Sequence, residues 1–357
     1  MTIKAPFPYA GGKSRVAALV WERFGDVLSY IEPFAGSLAV LLGRPHFDFE
    51  SGNWRDHKGR VETASDTDGM ITNFWRAVQH DPDAVADAAD RPVQELELHA
   101  IHKALHRALL STEGMDADAL DYAASKNVLP FAARLTTDQD FYDARLAGWW
   151  CWGQCSWIGD NFARPKCRAL PHLGNAGRGV HRQLPHLGDA GNGVNRQLPH
   201  LGNTGGACAQ KRAALLTWFR ALRDRLCRVR VVCGDWERIC GDSVLFGPGT
   251  PCGVFLDPPY SQDAGVDTVY GEHHDPGVSA RVRAWCAAHG DDPKLRIALC
   301  GYEGEGHDAL ESLGWRVEHW KARGGYSNQS GSQNRHRERI WFSPHCLGAV
   351  QATLWGD

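Results

Sequence analysis

Nowhere do the 357 residues run to about 18 consecutive apolar positions, the length at which a helix begins to cross a bilayer. A helical membrane span is therefore not expected. The opening stretch, "MTIKAPFPYAGGKS", has no apolar core of the signal-peptide kind. Without that signal the eleven cysteines read as free thiols in a reducing compartment, so the expected location is cytoplasmic. The paired short spacings of structural zinc sites are missing too. Cys151 and Cys155 are four apart in "WWCWGQCSW", with Cys167 and Cys208 far downstream, so cysteines packed beside tryptophan are expected and no metal is.

A clear excess of one charge is also lacking, since the chain carries a net −3. That average conceals an asymmetry. Between Arg164 and Arg230 stand 13 Lys or Arg against only Asp189 and Asp224, a net +11. A second basic patch, Lys321, Arg323, Arg335, Arg337 and Arg339, is opposed by Glu338. Either could be a solvated surface. Two such patches flanking a motif with catalytic character point to a face that follows phosphates.

What is present is the composition of a globular protein, 43% hydrophobic and 23% charged, with 14 Trp. Short apolar or β-branched runs end at Gly, Asp or Pro: "LSYIEPFAG", "RVETASD", "RVRVVCGD", "GVFLDPP", "LRIALCGYE", "GWRVEHWKA" and "RERIWFS". Helical patterns between them predict an α/β fold with a mostly parallel sheet. The last two runs are joined through "RGGYSNQSGSQNRH", which predicts an antiparallel hairpin with a long loop. Residues 81–225 read as an insertion carried by the domain formed by 1–80 and 226–345. Within it, at 170–210, "LPHLGNAGRGVHRQ" recurs as "LPHLGDAGNGVNRQ" and "LPHLGNTGGACAQ" with a period of 14. The repeat could lay turns, each with a His, along a groove, or be a duplicated surface loop.

The chemistry-bearing stretch is "VFLDPPYSQ". In an α/β sheet, ligands bind beyond the carboxyl ends of the strands. Here an apolar strand delivers Asp257, Pro258, Pro259 and Tyr260 to such an end. The prolines fix φ and lack amide hydrogens, so the turn is stiff and its carbonyls face outward. An exocyclic amine can give one hydrogen to Asp257 and the other to the Pro258 carbonyl, which aims its lone pair, while Tyr260 stacks on the flat base.

That tetrad resembles the signature of amino-methyltransferases that use S-adenosylmethionine. Three more elements resemble Dam-like DNA adenine-N6 methyltransferases of the α group: "YAGGK" (Tyr9, Ala10, Gly11, Gly12, Lys13), "IEPFAGS" (Ile31 to Ser37) and "ASDTDGMITNF" (Ala64 to Phe74). The resemblance covers residues 6–80 and 229–343. It implies a Rossmann-like methyltransferase sheet, mostly parallel with its last strand antiparallel, carrying an inserted target-recognition region.

Carried onto this chain, it implies S-adenosylmethionine held by Tyr9, Ala10, Gly11, Gly12, Lys13, Glu32, Pro33, Phe34, Ala35, Gly36, Ser37, Asp66, Thr67, Asp235, Trp236 and Asp257. Asp66 would meet the ribose hydroxyls, although an acid there can also cap the following helix, a role open to Asp68 as well. Asp235 and Trp236 would lie near the cofactor adenine, or Trp236 would be core. Lys13 would meet the cofactor carboxylate or a DNA phosphate. Such enzymes usually carry a second glycine two residues after Gly36; here Leu38 stands there.

Glycine motifs first, a long variable region next and the Asp-Pro-Pro-Tyr strand after it is the α-group order, which implies transfer to adenine N6 in double-stranded DNA, with the base flipped out. Arg164, Lys166, Arg168, Arg182, Arg196, Arg335, Arg337 and Arg339 are the candidates for DNA contact. No obligatory protein partner is expected, and the expected setting is a bacterial or phage-infected cell. No cysteine lies beside a proline ahead of the central strand, where a nucleophile for cytosine C5 would sit. The alternatives are transfer to cytosine N4, RNA adenine or a protein amide, or an inactive methyltransferase fold that only binds DNA.

Overall fold

Each of the seven expected stretches contains a strand in the computed structural model, which describes residues 3–9, 12–45, 47–48, 53–54, 59–110, 112, 115–126, 129–157, 162, 208–259, 277–320 and 337–348. In chain order the elements are α1 (Ala17–Phe24), β1 (Ser29–Glu32), α2 (Ala39–Leu42), β2 (Phe47–Asp48), β3 (Asn53–Trp54), β4 (Val61–Asp66), α3 (Gly69–His80) and α4 (Pro82–Ala89). Then follow α5 (Glu95–Leu109), α6 (Ala117–Ser125), α7 (Phe131–Thr137), α8 (Ala144–Ser156), α9 (Cys208–Leu226), β5 (Val229–Cys233), α10 (Asp242–Leu245), β6 (Cys252–Leu256), α11 (Val278–His289), β7 (Leu295–Tyr302), β8 (Arg316–His319) and β9 (Glu338–Phe342). The small β2–β3 ribbon has no counterpart in the sequence reading.

Seven strands form one sheet in the order β5-β4-β1-β6-β7-β9-β8. The pairings from β5 across to β7 are parallel, and β9 runs antiparallel to both of its neighbours. The chain travels outward from β1 to β4 and β5, then returns to lay β6 on the other side of β1. The seam between β1 and β6 is therefore the topological switch point, where an open α/β sheet binds its ligand.

Alternation along the strands explains why both faces are covered. Phe255, Ala298, Cys300, Ile340 and Phe342 enter one core, together with Val20 and Phe24 of α1 and Phe74 and Trp75 of α3. Val254, Leu256, Ile297, Leu299 and Trp341, one residue out of phase, enter the other, beneath Val282 and Cys286 of α11. The helices start where acids can cap them. Asp68, Asp81 and Asp143 each accept a backbone N–H in the first turn of α3, α4 and α8.

The described part of 81–225 brings no core of its own. Val85, Ala89, Leu98, Trp150 and Phe219 belong to the same cluster as Phe74 and Phe255, so α4, α5, α8 and α9 thicken one face of the sheet. Cys151 and Cys155 are buried there with both thiols toward the Pro6 carbonyl, at 3.9 and 3.4 Å. The 14-residue repeat lies outside the described residues. Among the described residues no helix is long and apolar enough to cross a membrane.

Candidate active site

The turn after β1 is built around Gly36, whose φ of +44° is left-handed. A Cβ there would stand 2.6 Å from the Tyr9 ring, so glycine is required by backbone and neighbour together. Three bonds pin the turn: Trp75 Nε1 donates to the Gly36 carbonyl at 2.9 Å, the Gly36 amide donates to Asp66 Oδ2 at 2.9 Å, and the Ala35 amide donates to the Ser65 carbonyl at 2.9 Å. Leu38 also adopts a left-handed conformation, φ 50° and ψ 32°, with its side chain fully buried. The turn thus demands at residue 38 the geometry a glycine takes freely, and a leucine supplies it at a cost of about 1–2 kcal/mol.

Asp66, at the end of β4, braces this turn. Its Oδ1 accepts from the Asp68 amide at 2.9 Å while Oδ2 holds Gly36. Asp66 is half-exposed there and Thr67 exposed. Asp68, not Asp66, caps α3. Asp235 caps the short helical turn Trp236–Ile239 and pairs with Arg281 at 3.4 Å. Trp236 is part of the core: it is buried, stacked on Phe34 at 6.4 Å between centroids, and its Nε1 makes no hydrogen bond among the described residues.

Across the seam, β6 delivers Asp257 directly beyond Leu256, with Pro258 buried behind it. Lys13 Nζ sits 2.9 Å from Asp257 Oδ2 and 4.0 Å from Glu338 Oε2. The lysine side chain is only 5% exposed, Asp257 21% and Glu338 6%. The Trp320 ring lies 5.8 Å from the same ammonium. Lys13 is therefore not a solvated surface lysine. It is the buried counter-ion of Asp257.

Glu32 completes the group, with Oε2 accepting from the Tyr30 hydroxyl at 2.9 Å and the Leu41 amide at 3.0 Å. Burial pushes its pKa up to about 8, against the pull of those two hydrogen bonds, and the charges of Asp257 and Glu62 add to the rise. Burial likewise raises Glu338 to about 7, opposed by Lys13 and reinforced by Asp257. Glu338 was read from the sequence only as an acid among basic residues. Its signal was there, an acid opening the apolar strand "ERIWF", but sequence alone does not say which face of β9 meets Lys13.

Tyr9, Gly12, Lys13, Glu32, Phe34, Ala35, Gly36, Ser37 and Asp257 line one cleft with about 240 Å³ of empty space, open solvent at its mouth included. Pro33 is buried beneath it and accepts from the Ser65 hydroxyl. Ala10, Gly11, Pro259's neighbour Tyr260, and the candidate DNA contacts Arg164, Lys166, Arg168, Arg182, Arg196 and Arg335 lie outside the described residues.

Two expectations about positive charge change. Arg339 is 9% exposed and its guanidinium is bound to Glu303 at 2.5 Å, so it anchors β9 instead of offering a charge to phosphate. Arg337 stands just before the same strand and donates to the Glu303 carbonyl at 2.9 Å. The basic run also meets acids of its own chain on α9. Arg212 pairs with Asp87 and Asp90, Arg220 with Asp83, Arg223 with Asp224, and Arg225, fully buried, with Glu62 at 2.6 Å. Part of the +11 is therefore answered inside the fold.

A scan of known protein families and a search of curated proteins found no match to the chain.

Proposed function

We propose that the chain is an S-adenosylmethionine-dependent methyltransferase that acts on adenine N6 in DNA. The observation that carries this reading is the position of Asp257. It stands with its two prolines at the carboxyl end of β6, on the switch-point seam, opposite the Gly36 turn and in one cleft with it.

The residues of the cleft suit such a cofactor. Phe34 offers an aromatic face, Asp257 is a carboxylate suited to a cation, and the half-exposed Asp66 braces the Gly36 turn beside them. When bound, S-adenosylmethionine supplies an electrophilic methyl group on a sulfonium, so no further activation of the donor is required.

The chain's own task is to hold the amine. Asp257 is paired with Lys13 and so present as a carboxylate, an acceptor, not a donor. It takes one N–H of the amine and the Pro258 carbonyl takes the other, which turns the lone pair toward the methyl group and removes orientational freedom before attack. Asp257 then takes the proton that the methylated nitrogen sheds. By the resemblance, Tyr260 stacks on the extruded base and offsets part of the few kcal/mol of flipping. The choice of DNA and of adenine rests on the resemblance and on the order of its motifs.

The test is to incubate the chain with duplex DNA, single-stranded RNA and methyl-labelled cofactor, then digest to nucleosides. Label in N6-methyladenine from DNA supports the proposal. Label in N4-methylcytosine or in RNA moves the substrate, and tight DNA binding without transfer leaves only a binding module.

A further inference from the structure

Glu32 lines the cleft together with Lys13, Phe34, Gly36 and Asp257, yet it is only 2% exposed. Its Oε2 accepts two hydrogen bonds, one from the Tyr30 hydroxyl at 2.9 Å and one from the Leu41 amide at 3.0 Å. Neither donor engages Oε1. Both donors belong to the stretch of chain that shapes the cleft. Tyr30 precedes Glu32 by two residues on β1, so the alternation of a strand puts their side chains on one face. Leu41 lies in α2, directly after the turn that holds Gly36 and Leu38.

The hydroxyl is held firmly in place. Tyr30 is fully buried, its ring 4.8 Å from that of Trp21 and 6.3 Å from that of Phe24. Trp21 is itself tied to α2, donating Nε1 to the Val40 carbonyl at 2.7 Å. A phenylalanine would fill the same space without burying a polar group, which costs free energy unless it is bonded. Among the described residues the Tyr30 hydroxyl bonds to Glu32. The last torsion of a glutamate is broad, so a carboxyl turns unless neighbours hold it. The other acids near Glu32 do not bond to it, being held by cations of their own: Asp257 by Lys13, and Glu62 by Arg44 and Arg225.

We propose that Tyr30 is a positioning residue of the cofactor site that acts through Glu32: with the Leu41 amide it holds Oε2, so that Oε1 is the oxygen that meets a polar group of the ligand. The inference rests on the cofactor reading above. While both donors stay on Oε2, a protonated Glu32 carries its hydrogen on Oε1, so the contact atom is the same in either ionisation state. S-adenosylmethionine and S-adenosylhomocysteine differ at the sulfur and share their other polar groups, so the positioning serves both alike.

The test is calorimetric titration of the full chain with S-adenosylhomocysteine, which binds without reacting, and with S-adenosylmethionine. Tyr30→Phe keeps the ring that packs on Trp21 and Phe24 and removes the hydroxyl. Affinity for both ligands should fall about five- to tenfold, the scale of one hydrogen bond. During turnover on DNA the KM for the cofactor should rise by a similar factor while kcat changes by less than about twofold. In a Glu32→Leu chain no carboxyl remains to be held, and there Tyr30→Phe should change affinity by less than about twofold. Glu32→Ala is the second variant for the same comparison. Equal losses with and without the Glu32 carboxyl would give Tyr30 a purely structural part. That result, or unaltered binding by Tyr30→Phe, would overturn the proposal and leave the cofactor reading in place. Failure of the unaltered chain to bind either ligand would overturn both.

Discussion

Lys13 Nζ rests 2.9 Å from Asp257 Oδ2, although one residue precedes the first helix and the other follows the sixth strand. This contact draws the N-terminal glycine motif and the Asp-Pro-Pro turn into a single site.

If Asp257 orients the amine, Asp257→Ala should lower methyl transfer by at least about a hundredfold, the scale of losing one aligned polar group at a reacting centre. DNA binding should be largely kept, because phosphate contacts supply most of the affinity. Single-turnover transfer beside a mobility-shift titration checks both; loss of binding in parallel with transfer would assign Asp257 a structural part.

Lys13→Met leaves Asp257 and Glu338 without their shared cation. At pH 8 the expected loss is about 3–5 kcal/mol, the range for breaking a buried pair from one side. At pH 6 the loss should shrink, because Glu338 then carries a proton. Urea unfolding at the two pH values decides it, and equal losses would count against the shared-cation arrangement.

Glu32 is raised from an ordinary carboxylate value of 4.5 to about 8, so its burial favours the neutral form. Its contribution to stability is complete below about pH 4.5 and fades as pH climbs through 8. Glu32→Gln keeps an oxygen for Tyr30 and Leu41 and cannot ionise. The variant should melt with the parent near pH 5 and above it at pH 8.5; the reverse order in thermal scans would contradict the assignment.

At Leu38 two effects oppose each other. Truncation of a fully buried leucine costs about 2–5 kcal/mol, while glycine relieves about 1 kcal/mol of left-handed strain that alanine keeps. Cavity formation wins, so both variants are less stable than the parent. Their ranking is the diagnostic: Leu38→Gly should be the more stable of the two, by about 1 kcal/mol, against the usual order in helices. Denaturation midpoints resolve a difference of that size.

Arg212 and Arg220 face Asp83 and Asp87 of α4 and Asp90 just beyond it, not a phosphate-bearing surface. Replacing both by Gln should change stability little, since exposed pairs contribute little, and should leave the salt dependence of DNA binding unaltered. A fall in the slope of log K against log salt by about 0.9 for each arginine would place them on phosphates after all.

The sheet was readable because its strands are apolar runs that stop at Gly, Asp or Pro, and a strand buried on both faces has little freedom to look otherwise. The site was half readable. Gly36 and Asp257 stand inside short motifs, and their local chemistry is carried by adjacent residues. Glu338 and the α9 arginines were missed for one reason: their partners are brought to them only by the fold. Lys13 reaches Glu338 across the whole chain, and Arg220 reaches Asp83 across the helices between α4 and α9. Leu38 looked like a defect in a glycine motif, because a sequence records the side chain and not the φ it accepts.

The place of β9 between β7 and β8 has a consequence for how the molecule is made. During synthesis β8 emerges before the strand that must separate it from β7, so it has no pairing partner of its own in the finished arrangement until residues 338–342 follow. Until then β7 presents an unpaired edge, the kind of surface on which strands of other chains can add. The same late insertion brings Glu338 to Lys13. A nascent chain thus closes the far half of its sheet and completes the Lys13 pairings in one event, and a ribosome stalled shortly before residue 338 would leave β7 open along one edge and Lys13 without Glu338.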